Sequence, residues 1–149
     1  MATVQTQAQG TKGAALTFSP ALAGLGPGVY AVSGTINQGA AIPLDQTIEA
    51  EITAPATLGA GFQVVLFMET SLDGGTTWTG PATRAPASDI QENLIGSIPV
   101  TVAAARASKA FSILGLPVSQ VIRIVAKNDT GVTLTSGFVY LAPITGTST

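Results

Sequence analysis

Neither cysteine nor histidine occurs in the 149 residues, and several kinds of chemistry go with them. No disulfide can cross-link the fold and no thiolate or imidazole can ligate a metal. A Ser-His-Asp or Cys-His catalytic site, or a histidine pH switch, cannot be built within the chain. Charge is nearly as scarce: Asp, Glu, Lys and Arg make up 9% of the residues, where an average soluble domain has about 25%. Six basic residues and a net charge of −2 leave no electrostatic footprint for nucleic acid. Aromatic residues are 5% of the chain, so a core needs most of them. No apolar run approaches the roughly 18 residues of a membrane-spanning helix. The opening Met1-Ala2-Thr3-Val4-Gln5 has neither the basic nor the apolar region of a signal peptide. The expectation is a protein made in a cytoplasm, with no membrane and no nucleic acid among its partners.

What remains is a chain of ordinary apolar content, 46%, whose polar surface must come from Thr, Ser, Gln and Asn. So little charge gives little self-repulsion, which points to a surface covered by partner subunits. The length suits one domain with a real core. Its organising stretch is Phe62-Gln63-Val64-Val65-Leu66-Phe67-Met68, too short for a typical helix and rich in β-branched and aromatic residues. It reads as a central strand covered on both faces. A hairpin turn follows at Asp73-Gly74-Gly75, with Ser71, Asp73 and Gly75 fixing the turn and Trp78 returning its ring to the core. On that placement Trp78→Ala is expected to cost about 3–5 kcal/mol.

The rest of the chain reads as short β segments cut by Gly and Pro. Val29 to Ile36 is a strand, and Ile48, Ala50 and Ile52 alternate with Thr47, Glu49, Glu51 and Thr53 to give one dry and one wet face. Ile98, Val100 and Val102 alternate likewise, and Phe111-Ser112-Ile113 is a further strand. Val121 to Lys127, the turn Asn128-Asp129-Thr130-Gly131 and the return Val132 to Leu141 read as a second hairpin, with Gly131 at the left-handed position. Ala103 to Ala107 has helix propensity but is too short to stand alone, and Ser88 to Glu92 is a candidate single helical turn. About eight to nine short antiparallel strands at this spacing specify an all-β fold, a β-sandwich or jelly roll. The expected organisation is an N-terminal arm over 1–13, the sandwich over 14–142 and a C-terminal tail over 143–149. The polar, aperiodic arm is expected to order only against another chain.

Several constellations have a chemical reading beside a plainer one. Glu49 and Glu51, successive on one strand face and about 7 Å apart, match the separation of a glycosidase acid and base, although a solvated strand face explains them as well. Asp45, Asp73, Asp89 and Asp129 lie in loops or turns, the setting of an oxygen-ligand Ca²⁺ site, yet none has the spacing of a dedicated loop and turn capping suffices. Trp78, Tyr30 and Tyr140 are candidates for an aromatic platform under sugar rings. Arg106, Lys109, Arg123 and Lys127 are candidates for a basic face toward an acidic partner. Gly24-Leu25-Gly26-Pro27-Gly28 lacks the Lys-Ser/Thr of a phosphate loop. No catalytic residue, metal ligand or cofactor is assigned.

Two resemblances follow from the motifs. Ser71-Leu72-Asp73-Gly74-Gly75-Thr76-Thr77-Trp78 is similar to the Asp-box of sialidase propeller blades, where the box is structural. A propeller would repeat it, and it occurs once, so it implies a turn and not a sialidase. The stretch Glu69 to Trp78, the strand Val121-Ile122-Arg123-Ile124 leading into Asn128-Asp129-Thr130-Gly131, and the Ala/Thr/Gly-rich composition together resemble small virion structural proteins of tailed bacteriophages. That resemblance implies a non-enzymatic capsid decoration or cement protein on the virion surface, made in the host cytoplasm. Its partners would be the major capsid protein or other virion proteins, and it would be a homo-oligomer, with a trimer favoured. A carbohydrate-binding sandwich or a tail- or fibre-associated adhesion component is the alternative.

Overall fold

The computed structural model describes residues 5–40, 45–59, 61, 63–80, 93–117 and 119–148. Among these residues there are ten strands: β1 (Gln5–Gln9), β2 (Phe18–Ser19), β3 (Tyr30–Ser33), β4 (Ile36–Asn37), β5 (Asp45–Thr53), β6 (Gln63–Ser71), β7 (Leu94–Pro99), β8 (Arg106–Ser112), β9 (Val121–Asp129) and β10 (Ser136–Ser148). They form two sheets, the first in the order β1-β10-β5-β8 and the second in the order β2-β3-β9-β6-β7, with β4 also on β9. The fold is all-β, and its pairing is that of a rolled-up long hairpin. β6 pairs with β7, β5 with β8, β3 with β9 and β1 with β10, all antiparallel and each pair nested outside the last. Rolling that hairpin so that alternate pairs fall in opposite layers gives a jelly roll.

Period-two patterning decides what lies between the layers. β5 alternates without a break, with Gln46, Ile48, Ala50 and Ile52 buried and its odd-numbered residues half-buried outside. Opposite it the second sheet supplies Val64, Leu66 and Met68 from β6 and Ile122, Ile124 and Ala126 from β9, in one cluster with Val139 and Ile98. Each such aliphatic side chain taken out of water contributes about 1.5–3 kcal/mol. β6 is buried along its length after Gln63, as expected for a central strand; Phe62 lies outside the described residues.

The side bounded by β7 and β8 is closed by side chains. Lys109 points inward from β8 and donates from Nζ to the Ser97 carbonyl at 3.1 Å. The Phe111 ring covers Gly96, where a Cβ would sit 2.5 Å from Phe111 Cε1. A charge placed inward on an edge strand discourages pairing with other chains.

Three expectations need correction. First, the N-terminal arm is part of the fold from Gln5 onward. Gln5–Gln9 pairs with Ile144–Ser148, and the amides of Gly10, Gly13 and Leu16 donate to the carbonyls of Pro143, Leu141 and Val139, so arm and tail hold each other along one edge of the first sheet. Second, β9 and β10 are not a hairpin, because they lie in different sheets. Both edges of β9 are already taken, by β6 on one side and by β3 and β4 on the other, so the chain after Gly131 must cross to the other layer. Third, the Ile98-Val100-Val102 alternation is cut short: β7 ends at Pro99 and Val102 is exposed in a turn that includes Ala104 at a φ of 54°. Ser88 to Glu92 lies outside the described residues.

Candidate binding surfaces

Strand direction groups the loops at two ends of the sandwich. β6 finishes, β9 begins and β8 finishes at one end, where Ser71 pairs with Val121 and Thr47 with Ser112. The Asp-box turn stands there, built around one carboxylate. Asp73 Oδ1 accepts from the Ser71 hydroxyl (2.7 Å), the Thr76 amide (3.1 Å) and the Thr77 amide (2.8 Å), and Oδ2 accepts from the Thr77 hydroxyl (2.7 Å). Ser71 Oγ in turn accepts from the Gly75 amide at 2.8 Å, and Gly74 and Gly75 take φ of 72° and 97°, where a Cβ would be strained. These bonds, first the Thr77 amide, then the Thr77 and Ser71 hydroxyls, hold the Asp73 carboxyl down at about 2. Ser71, Asp73 and Gly75 therefore act as the sequence suggests, and with its oxygens occupied by donors Asp73 is a turn lock. Trp78 does not. It is half-buried and lies outside the core, its ring 4.1 Å from the Arg123 guanidinium.

A second turn stands beside the first. The Leu116 amide donates to the Ile113 carbonyl at 3.0 Å with Gly115 at a φ of 90°, which places Leu114 at the turn's corner. Further along the chain, Ser119 Oγ lies within hydrogen-bond distance of the Ser71 carbonyl, at 2.9 Å, and of the Val121 carbonyl, at 2.6 Å. Each turn presents a leucine to solvent: Leu72 is 93% exposed and Leu114 73%. Sequence reading passed over both, since a lone leucine in a turn has no periodic signal.

The outward face of the first sheet carries the second candidate surface. Phe138 and Tyr140 alternate on β10 and stack with centroids 6.4 Å apart. Glu49 and Glu51 stand across from them on β5. Lys12, delivered by the N-terminal segment, places Nζ 2.9 Å from Glu49 Oε2, 3.8 Å from Glu51 Oε1 and 3.7 Å from the Tyr140 ring centroid. Arg106 closes the row at 2.7 Å from Glu51. The hydrogen bond from Lys12 lowers the Glu49 carboxyl below its ordinary value and raises that of Lys12. A general acid needs the opposite shift, so the pair reads as ion-paired carboxylates on a wet face. Lys12, Thr47, Glu49, Tyr140, Leu141 and Ala142 line a shallow depression of about 40 Å³.

The outward face of the second sheet is covered. Tyr30, Val65, Phe67 and Val125 form a small buried cluster there, and Glu69 and Lys127 are buried beside it. Glu69, with no exposed side-chain surface, accepts from Arg123 Nε at 2.6 Å, Trp78 lies over that guanidinium, and the Gly80 backbone sits against the Glu69 carboxylate. Lys127 pairs with Asp129 at 3.2 Å. The proposed aromatic platform is thereby dissolved: Tyr30 is buried and Trp78 half-buried on this sheet, while Tyr140 faces out from the other. The basic face dissolves too, since Arg123 is half-buried and Lys127 buried here, each in an ion pair, while Arg106 and Lys109 point to opposite sides of β8.

Asn128 is a fully buried lock at the other end of the sandwich. Its Nδ2 donates to the carbonyls of Leu25 (2.8 Å) and Val132 (2.7 Å) and its Oδ1 accepts from the Thr130 amide and hydroxyl, while Gly131 has a φ of 77°. These residues shape the crossing between layers. Asp45 is held by the Ser112 hydroxyl and the Ile113 amide near the Asp-box end, whereas Asp129 ends β9 at the far end. Asp89 lies outside the described residues, and among those described no three His, Cys, Asp or Glu side chains gather to hold a metal ion. No protein-family model matches the chain, and no curated protein matches it.

Proposed function

We propose that the protein is a non-catalytic structural component of a phage virion that binds and stabilises a capsid surface, working as a homo-oligomer of which the trimer is our first candidate. One observation supports this reading above the others. Each described Asp, Glu, Lys and Arg side chain is already engaged by a group of its own chain, through the ion pairs of Lys12, Arg106, Arg123 and Lys127, the turn around Asp73, and the bonds of Asp45 and Lys109. Among the described residues, what the exterior offers a partner is hydroxyls, amides and a few apolar side chains. Such a surface docks by shape and hydrogen bonding and has little charge for steering. Jelly rolls serve in viral shells and in lectins alike, so the fold accommodates the reading without selecting it.

The test is to add purified protein to capsid shells assembled without it, at low and high ionic strength, while its mass in solution is followed. Binding is expected at both, because contacts without net charge are insensitive to screening. Protein that never binds shells, or that is released at modest salt, overturns the reading. A second reading, glycan binding, is favoured by the Phe138 and Tyr140 pair beside Glu49 and Lys12. Glycan-array binding abolished by Phe138→Ala would put it first.

A further inference from the structure

We infer that the end of the sandwich carrying the Asp-box is the docking end, and that Leu72 and Leu114 are anchors for an apolar, non-acidic socket on a partner protein. Both are the most exposed large apolar side chains of the described residues, and both stand at the same end, each at a constrained position of a turn. Scattered exposed leucines need no explanation. Two held on constrained turns at one end of the sandwich do, because a rigid display removes the entropy a flexible loop would lose on binding. The rigidity is visible in the four bonds to the Asp73 carboxylate, in the Ile113 to Leu116 turn and in the contact of Ser119 with the Ser71 carbonyl.

A second observation falls at the same end. Among the described residues the side-chain amide of Gln38 and Oε1 of Gln46 are buried without a hydrogen-bond partner, and both glutamines stand where the β3–β5 segment turns toward this end. Gln38 is tied there by its own amide to the Gln120 carbonyl. Buried amides are nearly always satisfied, so this end holds hydrogen-bonding capacity that the chain itself does not use.

Charge selects the kind of partner. Among the described residues the acidic groups of this end are Asp45 and Asp73, the latter held ionised, and the cation nearest the Asp-box, Arg123, is committed to Glu69. A second copy docked end to end would bring carboxylates against carboxylates, and an anionic bilayer would repel both. A protein socket with a neutral or basic rim fits.

This inference rests on the capsid-binding reading, and its test separates the two. Wild-type protein, Leu72→Ser, Leu114→Ser and the double variant are titrated onto shells lacking the protein, with melting temperature measured for each. The side chains touch little of their own chain, so melting is expected to stay unchanged while binding weakens about tenfold per leucine. Wild-type protein that does not bind shells refutes both the capsid reading and the docking end. Wild-type and variant proteins that bind equally refute the docking end alone. Leucine-dependent flotation with phosphatidylserine vesicles, or leucine-dependent self-association in sedimentation, overturns the assignment to a partner protein.

Discussion

Replacing Arg123 by Met tests how the outward face of the second sheet is held. The Glu69 side chain has no exposed surface and Arg123 retains 21%, with Nε and Oε2 2.6 Å apart. Removing the guanidinium strips a buried carboxylate of a charge partner, a change that costs about 3–5 kcal/mol, and forfeits the contact with Trp78, worth about 0.5–2 kcal/mol. A domain of this size has about 5–15 kcal/mol in total, so Arg123→Met is expected to consume a large share of it. Trp78→Ala, by contrast, is expected to cost about 1–2 kcal/mol, less than a core tryptophan, because it loses half-buried area and that one contact. The assay is urea unfolding of wild type, Glu69→Leu, Arg123→Met and the double variant. Far-UV circular dichroism serves as one probe and the fluorescence of Trp78, the sole tryptophan, as the other. Since the two charges interact, the double variant is expected to lose about 2–3 kcal/mol less than the sum of the single losses. Additivity within about 0.5 kcal/mol would refute the argument, showing that the ion pair does not hold this face.

Two further outcomes follow from the turn and the arm. Because Asp73 is held at about 2 against an ordinary 3.8, its contribution is present in full above the ordinary value and lost as pH falls through the folded one. The gap in melting temperature between wild type and Asp73→Ala is thus expected to be steady at neutral pH and to close on acidification toward about 2; a gap independent of pH would assign the effect to something other than the carboxylate. Deleting residues 1–13 is expected to lower the melting temperature of the isolated protein and to expose the amides of the last strand to hydrogen exchange, and an unchanged melting curve would return the segment to the status of a loose arm.

How legible this molecule was in its sequence varied with the range of the interactions. β5 and β6 were readable because burial writes itself into local periodicity, alternating in Ile48, Ala50 and Ile52 and continuous from Val64 to Met68. The Asp-box was readable because all of its bonds fall within a few residues. Pairing was not. Asn128 to Gly131 has the composition of a hairpin turn, and only the occupation of both edges of β9 by distant strands turns it into a crossing. The N-terminal segment has no period to read, since its pairing with β10 is made by main-chain groups that any sequence supplies. Trp78 was misplaced for a related reason: an indole returning from a turn signals burial, but the covered outward face of the second sheet, with Arg123 on it, was invisible from spacing alone. Of the candidate surfaces, Tyr140 was noticed without Phe138, although their i, i+2 spacing on a strand puts both on one face.

The place of β10 bears on the order in which the chain can fold as it is synthesised. β10 is the last of the strands, yet both β1 and β5 hydrogen-bond to it in the first sheet. Every strand of the second sheet precedes it, so that layer can pair while Ser136 to Ser148 is still inside the ribosome. The first layer cannot; until then β5 has only β8 beside it, and its apolar side chains Ile48, Ala50 and Ile52 belong to half a sheet. Closure from the inside outward, β6 with β7, β5 with β8, β3 with β9 and finally β1 with β10, shortens each successive loop that must be drawn together. A nascent chain stalled before Ser136 would therefore hold a paired layer with no complete layer to cover it, the state in which such a protein is most exposed to aggregation and to chaperones.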